Sequence, residues 1–406
     1  MKLFGGSRLL LSVIGVSFLF ILSSGVTGAL RPLFFVEAGA DPVQLGLLMA
    51  VPSLVSVLTR VPSSALSRRL GRWRMMFFSL VVSLVSTALF AFVYDPVMFF
   101  PLVSLAALSW AIYSPIAVEF VSDLSTPSTR GSTMGLYFTS IGAAFFVGPL
   151  ISSVLTVFMS LRQLFLFTAL IPLVALLVFL AVTRPGEFDF ATQDEYGIDN
   201  GSSGRSLSRI FKTKGFTALC IARIAYAMSM GVFSTAYPVY AEAGLGFSAS
   251  AISILFSFRG ITNVLVRMPA GRLSDRIGRR KPFIAAYALA ILIFALLAYV
   301  RSFGLLIVVM ALYGIAWGMR VAPSTALASE SVADDDRPLA LAVYMTMFDV
   351  GSMIGSLLAG FTSSVLDPPA LLLLCSPVMV IALVVFIVFP SRQMGFEPRP
   401  SHINRP

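Results

Sequence analysis

Long apolar runs separated by short polar loops dominate the chain. Six lie at about 9–35, 43–67, 75–94, 97–121, 131–155 and 163–182, and six more at about 216–240, 249–273, 282–300, 303–327, 339–366 and 370–389. Each is close to the roughly 20 residues that a helix needs to cross a hydrocarbon core. Leu, Phe, Val, Ala and Ile fill them without sustained polar/apolar alternation, which predicts helices rather than barrel strands. The first run is read as an uncleaved span. Basic Lys2 and Arg8 precede it and small Ser23, Ser24 and Gly25 lie within it, yet its apolar stretch is too long for a typical signal peptide. The pattern predicts an all-α polytopic membrane protein of twelve transmembrane helices.

Composition narrows the function classes. Hydrophobic residues make up 57% of the 406 and charged residues only 12%, with mean hydropathy +0.91. A soluble domain carries about 25% charged residues, so a soluble enzyme, a disordered chain and a secreted disulfide scaffold are excluded. Cys220 and Cys375 sit in apolar runs in opposite halves, so disulfides are not expected to organise the fold. The single histidine, His402, lies in the tail, which leaves no histidine metal cluster or histidine proton relay within the spans. We therefore expect no cofactor, no metal and no enzymatic chemistry.

The net charge of +10 carries orientation rather than a nucleic-acid signal. Of the 29 Lys and Arg residues, 21 fall on the side holding both termini and the even-to-odd loops; three (Arg31, Arg162 and Arg301) fall opposite, and five lie within spans. The excess marks the cytoplasmic side of a plasma membrane. Residues 1–183 and 216–390 are the two expected six-helix units, with a cytoplasmic tail at 391–406. Between them, 184–215 reads as a cytoplasmic linker through Asp199, Asn200, Gly201 and Ser202. It ends in a basic amphipathic piece with Arg205, Arg209, Lys212 and Lys214, expected to lie on the anionic leaflet.

The halves repeat. A shift of 207 places Arg60 and Pro62 on Arg267 and Pro269, Gly71 and Arg72 on Gly278 and Arg279, and Trp110 on Trp317. It also places Asp123 and Arg130 on Glu330 and Arg337, Tyr137 on Tyr344, and Gly148 on Gly355. Six spans per copy is an even number, so the copies insert alike. They form two parallel pseudo-symmetric bundles about an axis along the membrane normal.

The loop after the eighth run reads Gly271, Arg272, Leu273, Ser274, Asp275, Arg276, Ile277, Gly278, Arg279, Arg280, Lys281. It resembles the signature loop of the major facilitator superfamily, Gly-x-x-x-Asp-Arg-x-Gly-Arg-Arg/Lys. With the twelve spans, the 6 + 6 repeat and the polar linker, the resemblance covers the whole chain. It implies a gating latch at this loop, involving Gly271, Asp275, Arg276, Gly278, Arg279 and Arg280, with Arg337 or the start of the eleventh span as the cation facing Asp275. Gly271 is expected to admit a close neighbouring helix, and Gly278 a tight turn. The first-half loop departs from the pattern. Ser64 replaces the glycine, Arg68 replaces the aspartate, and Trp73 breaks the basic run. Gly135, Gly142, Gly148 and Pro149 resemble part of an antiporter motif, but its closing glycines are Ser152 and Ser153 here. Ordinary close packing is the preferred reading of these glycines, as it is for the Gly314/Gly318 and Gly351/Gly355 pairs.

An ionisable side chain at span centre costs about 2.5–3.5 kcal/mol on insertion scales and points to function. Arg60 and Arg267 form a symmetric pair near the cytoplasmic ends and read as structural braces. Arg223, Arg259, Arg320 and Asp349 have no charged counterpart in the other copy. Asp349 lies about 18 Å along a helix from Arg337, near the midplane. The resemblance implies that spans one, four, seven and ten line the cavity. Arg223 and Arg320 fall on these spans, with Glu119, Trp110, Tyr113, Tyr226, Tyr313 and Trp317 as candidate wall residues and Arg31 at the mouth. Two readings stand. Either Asp349 neutralises Arg320, Arg223 or Arg259 as a buried pair, or the excess cation binds an anionic substrate while Asp349 titrates.

The expected function is secondary transport of a small organic solute by alternating access, with protons as the implied energy source. An anionic or amphipathic substrate leads. Multidrug-type efflux of lipophilic compounds is the alternative, followed by a non-transporting sensor or lipid scramblase. Partners are expected to be the solute, protons and membrane lipids, with no nucleic acid, in a monomer.

Overall fold

A computed structural model describes residues 8–126, 129–184 and 203–389. The described helices are α1 (Arg8–Gly28), α2 (Arg31–Glu37), α3 (Pro42–Leu70), α4 (Arg72–Phe90), α5 (Phe99–Asp123), α6 (Arg130–Leu155), α7 (Leu161–Thr168) and α8 (Leu170–Val182), followed by α9 (Ser203–Lys212). The second half contains α10 (Lys214–Ala243), α11 (Ala249–Ile277), α12 (Arg280–Tyr299), α13 (Phe303–Glu330), α14 (Arg337–Phe361) and α15 (Pro368–Val388). Among the described residues, twelve helical segments are long and apolar enough to cross a membrane, α7 and α8 together serving as the sixth. The linker stretch 185–202, the tail from 390 and the side chains of 60–69, with those of Arg60, Ser64 and Arg68, lie outside the described residues.

Two expected spans are interrupted for identifiable reasons. The first run is divided, because α1 ends at Gly28 and the short α2 restarts with Pro32 in its first turn. A proline is tolerated there because its missing N–H would have no helical partner anyway. The sixth run breaks at Ala169, where α7 meets α8. Pro172 has no N–H to offer the Thr168 carbonyl, so the hydrogen-bond ladder cannot run through. Ser160 and Gln163 start α7 with a reciprocal capping box.

The repeat is visible in packing as well as in sequence. Helix α1 packs on α6 and α3 on α5; correspondingly, α10 packs on α14 and α11 on α13. The bundles join along two seams, α3 against α14 and α6 against α11. Small residues set these distances. A Cβ on Gly46 would strike the Gly360 backbone, and one on Gly260 would strike the Phe145 carbonyl. Within the second bundle, Gly314 and Gly318 let α13 approach the α11 backbone, while Gly351 and Gly355 let α14 approach α10. Gly142 faces Val264 and Gly148 abuts Gly25, whereas Gly135 has open space. The antiporter-like glycines thus include two close-packing positions. Ser152 and Ser153, where that motif would have glycines, bind across the seam. Ser152 Oγ donates to Ser253 Oγ at 3.1 Å, and Ser250 Oγ donates to the Ser153 carbonyl at 2.6 Å. These contacts lie toward the end of the molecule away from the basic loops.

Candidate functional site

The signature loop and its repeat hold two related arginine clusters. Gly71 and Gly278 both turn the chain with positive φ, 85° and 88°, a conformation that glycine adopts without Cβ strain. The next residue in each copy is an arginine that reaches the fourth helix of its own bundle. Arg72 donates to Asp123 Oδ2 at 2.6 Å and to Glu119 Oε1 at 2.8 Å. Arg279 pairs with Glu330 at 3.4 Å and with Asp275 in its own loop. Each repeat therefore gives its arginine two carboxylates. One is related by the shift, Asp123 to Glu330. The other comes from the loop in the second half and from α5 in the first.

Several expectations change here. Asp275 pairs with Arg279, not with Arg337, which instead reaches Asp334 at 2.8 Å. The Gly278 turn brings Arg279 back onto the end of α11, so the loop's own arginine reaches Asp275. Glu119, expected on the cavity wall, is bound to Arg72 at the helix end. Gly271, expected at a close helix approach, has no atom within 4 Å of where a Cβ would sit. Arg276 is exposed, and Arg280 donates to the Ile387 carbonyl at 2.7 Å while lying over Phe386. Trp73 pins α4 to α8, donating to Thr183 Oγ1 at 3.0 Å and stacking on Phe77 and Phe179. The amphipathic segment forms α9, and Arg209 is turned onto the protein. Its Nε and Nη2 donate to the two oxygens of Asp336 at 2.7 and 2.6 Å. These hydrogen bonds to the buried Asp336 carboxylate raise the Arg209 pKa above the ordinary arginine value.

The second bundle contains a different arrangement. Arg223 on α10, Arg259 on α11 and Arg320 on α13 converge on a group of aromatic rings. Arg320 is 1% exposed and lies 3.8 Å above the Tyr226 ring. Among the described residues, none of its three guanidinium nitrogens makes a well-aligned hydrogen bond. Arg259 sits among Phe256, Trp317, Phe233 and Tyr313, at 4.7 to 5.5 Å from their centroids, with Nε and Nη1 unpartnered. Arg223 lies over Tyr344 and Phe348 at 4.6 and 4.7 Å, and its Nη2 points to the Met345 sulfur. The hydroxyls of Tyr226, Tyr313 and Tyr344 are buried beside Arg320, Arg259 and Arg223, and among the described residues none makes a well-aligned hydrogen bond. Among the described residues, none of these three arginines makes an ion pair, and Arg223 is close enough to Arg320 for the charges to repel.

Asp349 faces elsewhere. It accepts from Ser56 Oγ at 3.3 Å, on the α3–α14 seam between the bundles. Its chain neighbour Phe348 contacts Arg223, but the carboxylate does not. Trp110 and Arg31 line a small cavity inside the first bundle. Tyr113 stacks on Phe20 and bonds Ser17 at 2.9 Å. The sequence reading gave Arg72 no role beyond orientation and did not single out Tyr344. The shift of 207 held the signal for both, since it placed Arg72 on Arg279 and Tyr137 on Tyr344.

Ring faces attract a guanidinium, worth about 0.5–2 kcal/mol each. They leave its N–H groups without acceptors and its charge without a counter-ion. A site of this kind can receive a carboxylate or phosphate bidentately and stack an aromatic body.

Comparison with known proteins gives the wider setting. The family model described as Major Facilitator Superfamily matches residues 13–226 and 219–404. An uncharacterised MFS-type transporter of Methanocaldococcus jannaschii is 19% identical over 352 residues, covering 86% of this chain and 90% of its own. Multidrug resistance protein 1 of Bacillus subtilis is 24% identical over 351 residues, covering 84% of this chain and 86% of its own. The crystal structure of a variant of the nucleoside transporter NupG superposes with TM-score 0.82 at 15% identity, covering 94% of this chain and 100% of that one. The chain is an integral multi-pass membrane protein and belongs to the Major Facilitator Superfamily.

Proposed function

We propose that this transporter moves an anionic organic solute across the plasma membrane by alternating access, with Arg223, Arg259 and Arg320 as its anion-binding group. The observation that carries this reading is that three buried guanidinium groups on three helices lack carboxylate partners. Leaving a buried charge unpaired costs several kcal/mol, and a bound anion removes that cost. The rings of Tyr226, Trp317 and Tyr344 supply an apolar, stackable wall, so an aromatic or amphipathic anion suits the site. Both termini are on the cytoplasmic side in this reading, following the basic loops. The seam contacts at the other end then close the outer face, which suits an inward-facing state. Rocking of the bundles about these seams opens the opposite face. A monomer in contact with anionic lipids carries out the cycle, driven by protons with Asp349 on the seam as the titrating carboxylate.

The test is proton flux in liposomes holding the purified protein, followed with a lumenal pH dye. Pooled organic anions should change the lumenal pH, and Asp349→Asn should abolish that change. A pH response only to pooled lipophilic cations would favour a second reading, multidrug efflux. The multidrug resistance relative of Bacillus subtilis, alignable over 84% of this chain, supports that alternative. Silence toward both pools from folded protein would leave an uncoupled facilitator or a sensor.

A further inference from the structure

The first bundle encloses a polar chamber that the transport reading does not use. It lies between α1, α4, α5 and α7 and is lined by Ser23, Ser24, Ser83, Thr87, Trp110 and Arg31. Arg31 enters from α2, at the end away from the basic loops. Its Nε is buried without an acceptor. Among the described residues, Arg31 makes no hydrogen bond, ion pair or ring contact. In this it differs from Arg162, also at this end, which donates to the carbonyls of Ala91 and Val93 and lies 3.9 Å from the Tyr94 centroid. The hydroxyls of Ser23, Ser24, Ser83 and Thr87 line the same space.

A part-exposed cation with a buried Nε and four hydroxyls that can all act as donors thus surround one space, with no carboxylate paired to the cation among the described residues. Such a shell suits a negative charge that brings no donors of its own. Size narrows the class. The chamber measures about 30 Å³, room for one or two water-sized groups. An organic carboxylate or a tetrahedral oxyanion does not fit that volume, whereas a monatomic anion does. We propose that this chamber is a halide site, in which one chloride neutralises Arg31 and accepts hydrogen bonds from hydroxyls of α1 and α4. The ion is a resident counter-charge that ties α2 to its bundle. It is distinct from the cargo of the arginine group in the second bundle, and the proposal stands whether or not that group binds an organic anion.

The experiment is the melting temperature of the purified full chain in detergent, titrated with sodium chloride or sodium bromide against sodium gluconate at matched ionic strength. Chloride and bromide should raise the melting temperature saturably, and gluconate should not. Arg31→Gln should remove the halide response, and Ser83→Ala with Thr87→Val should raise its midpoint at least tenfold. Arg320→Met should leave it intact. Equal melting in halide and gluconate, a response surviving Arg31→Gln, or a response lost in Arg320→Met would each overturn the proposal. If Arg31→Gln does not fold, the Ser83/Thr87 variant decides: an unchanged midpoint overturns the site. Anomalous scattering from bromide in the chamber would establish it directly.

Discussion

Two groups of arginines divide the molecule. Those at the basic end, Arg72 and Arg279, occur once in each repeat, and each holds two carboxylates. Those inside the second bundle, Arg223, Arg259 and Arg320, have no charged counterpart in the first, and their described contacts are mainly aromatic faces. The duplicated pairs belong to architecture, fixing the turn after the second helix of each bundle to the end of the fourth. The unduplicated, unpaired set carries a cost that architecture alone does not recover. What the bundles share supports the fold, and what only one bundle has is where the solute is expected to act.

Stability measurements can break this comparison. The largest expected effect is at Arg72. Its side chain is 10% exposed, and Arg72→Met strands two carboxylates. Unfolding free energy should fall by about 1–2 kcal/mol, less than the roughly 3–5 kcal/mol of a fully buried pair because Glu119 and Asp123 reach solvent. Adding Glu119→Gln should recover part of that loss, and a double-mutant cycle in denaturant measures the coupling. Arg279→Met should cost about 0.5–1 kcal/mol, because its partners are more exposed. That loss should shrink as salt is raised, which melting curves at two ionic strengths would check. The smallest effect is expected at Arg320. Without ligand, Arg320→Met removes a buried unpaired charge and loses a ring contact, so stability should stay within about 0.5 kcal/mol or rise. A fall as large as that of Arg72→Met would place Arg320 among the structural arginines.

Much of the architecture was legible in the sequence because membrane spans obey one dominant constraint. Twelve apolar runs and a single shift of 207 predicted the helices and their repeated packing, and Gly278 was recognised as a turn. What stayed hidden depended on neighbours distant in sequence. Glu119 looked like a cavity residue because its depth was readable but its partner, Arg72 on another helix, was not. Asp349 sits near Arg223 along the chain through Phe348, yet the helical turn aims its carboxylate at Ser56 on the other bundle. The shift could not reveal the second acid of the first cluster, since Glu119 falls on Ala326. Nor could it reveal the chamber at Arg31, which exists only because hydroxyls of α1 and α4 face one another. Among the candidates, the structure brings together Arg223, Arg259, Arg320 and Trp317, and separates them from Asp349, Trp110, Arg31 and Glu119.

The most direct test is uptake of a pool of radiolabelled organic anions by liposomes holding wild type or Arg320→Met, with melting temperatures taken from the same preparations. The account predicts at least a tenfold loss of uptake in a variant that melts no lower than wild type. Undiminished uptake by Arg320→Met would contradict it and remove the arginine group from the solute's path.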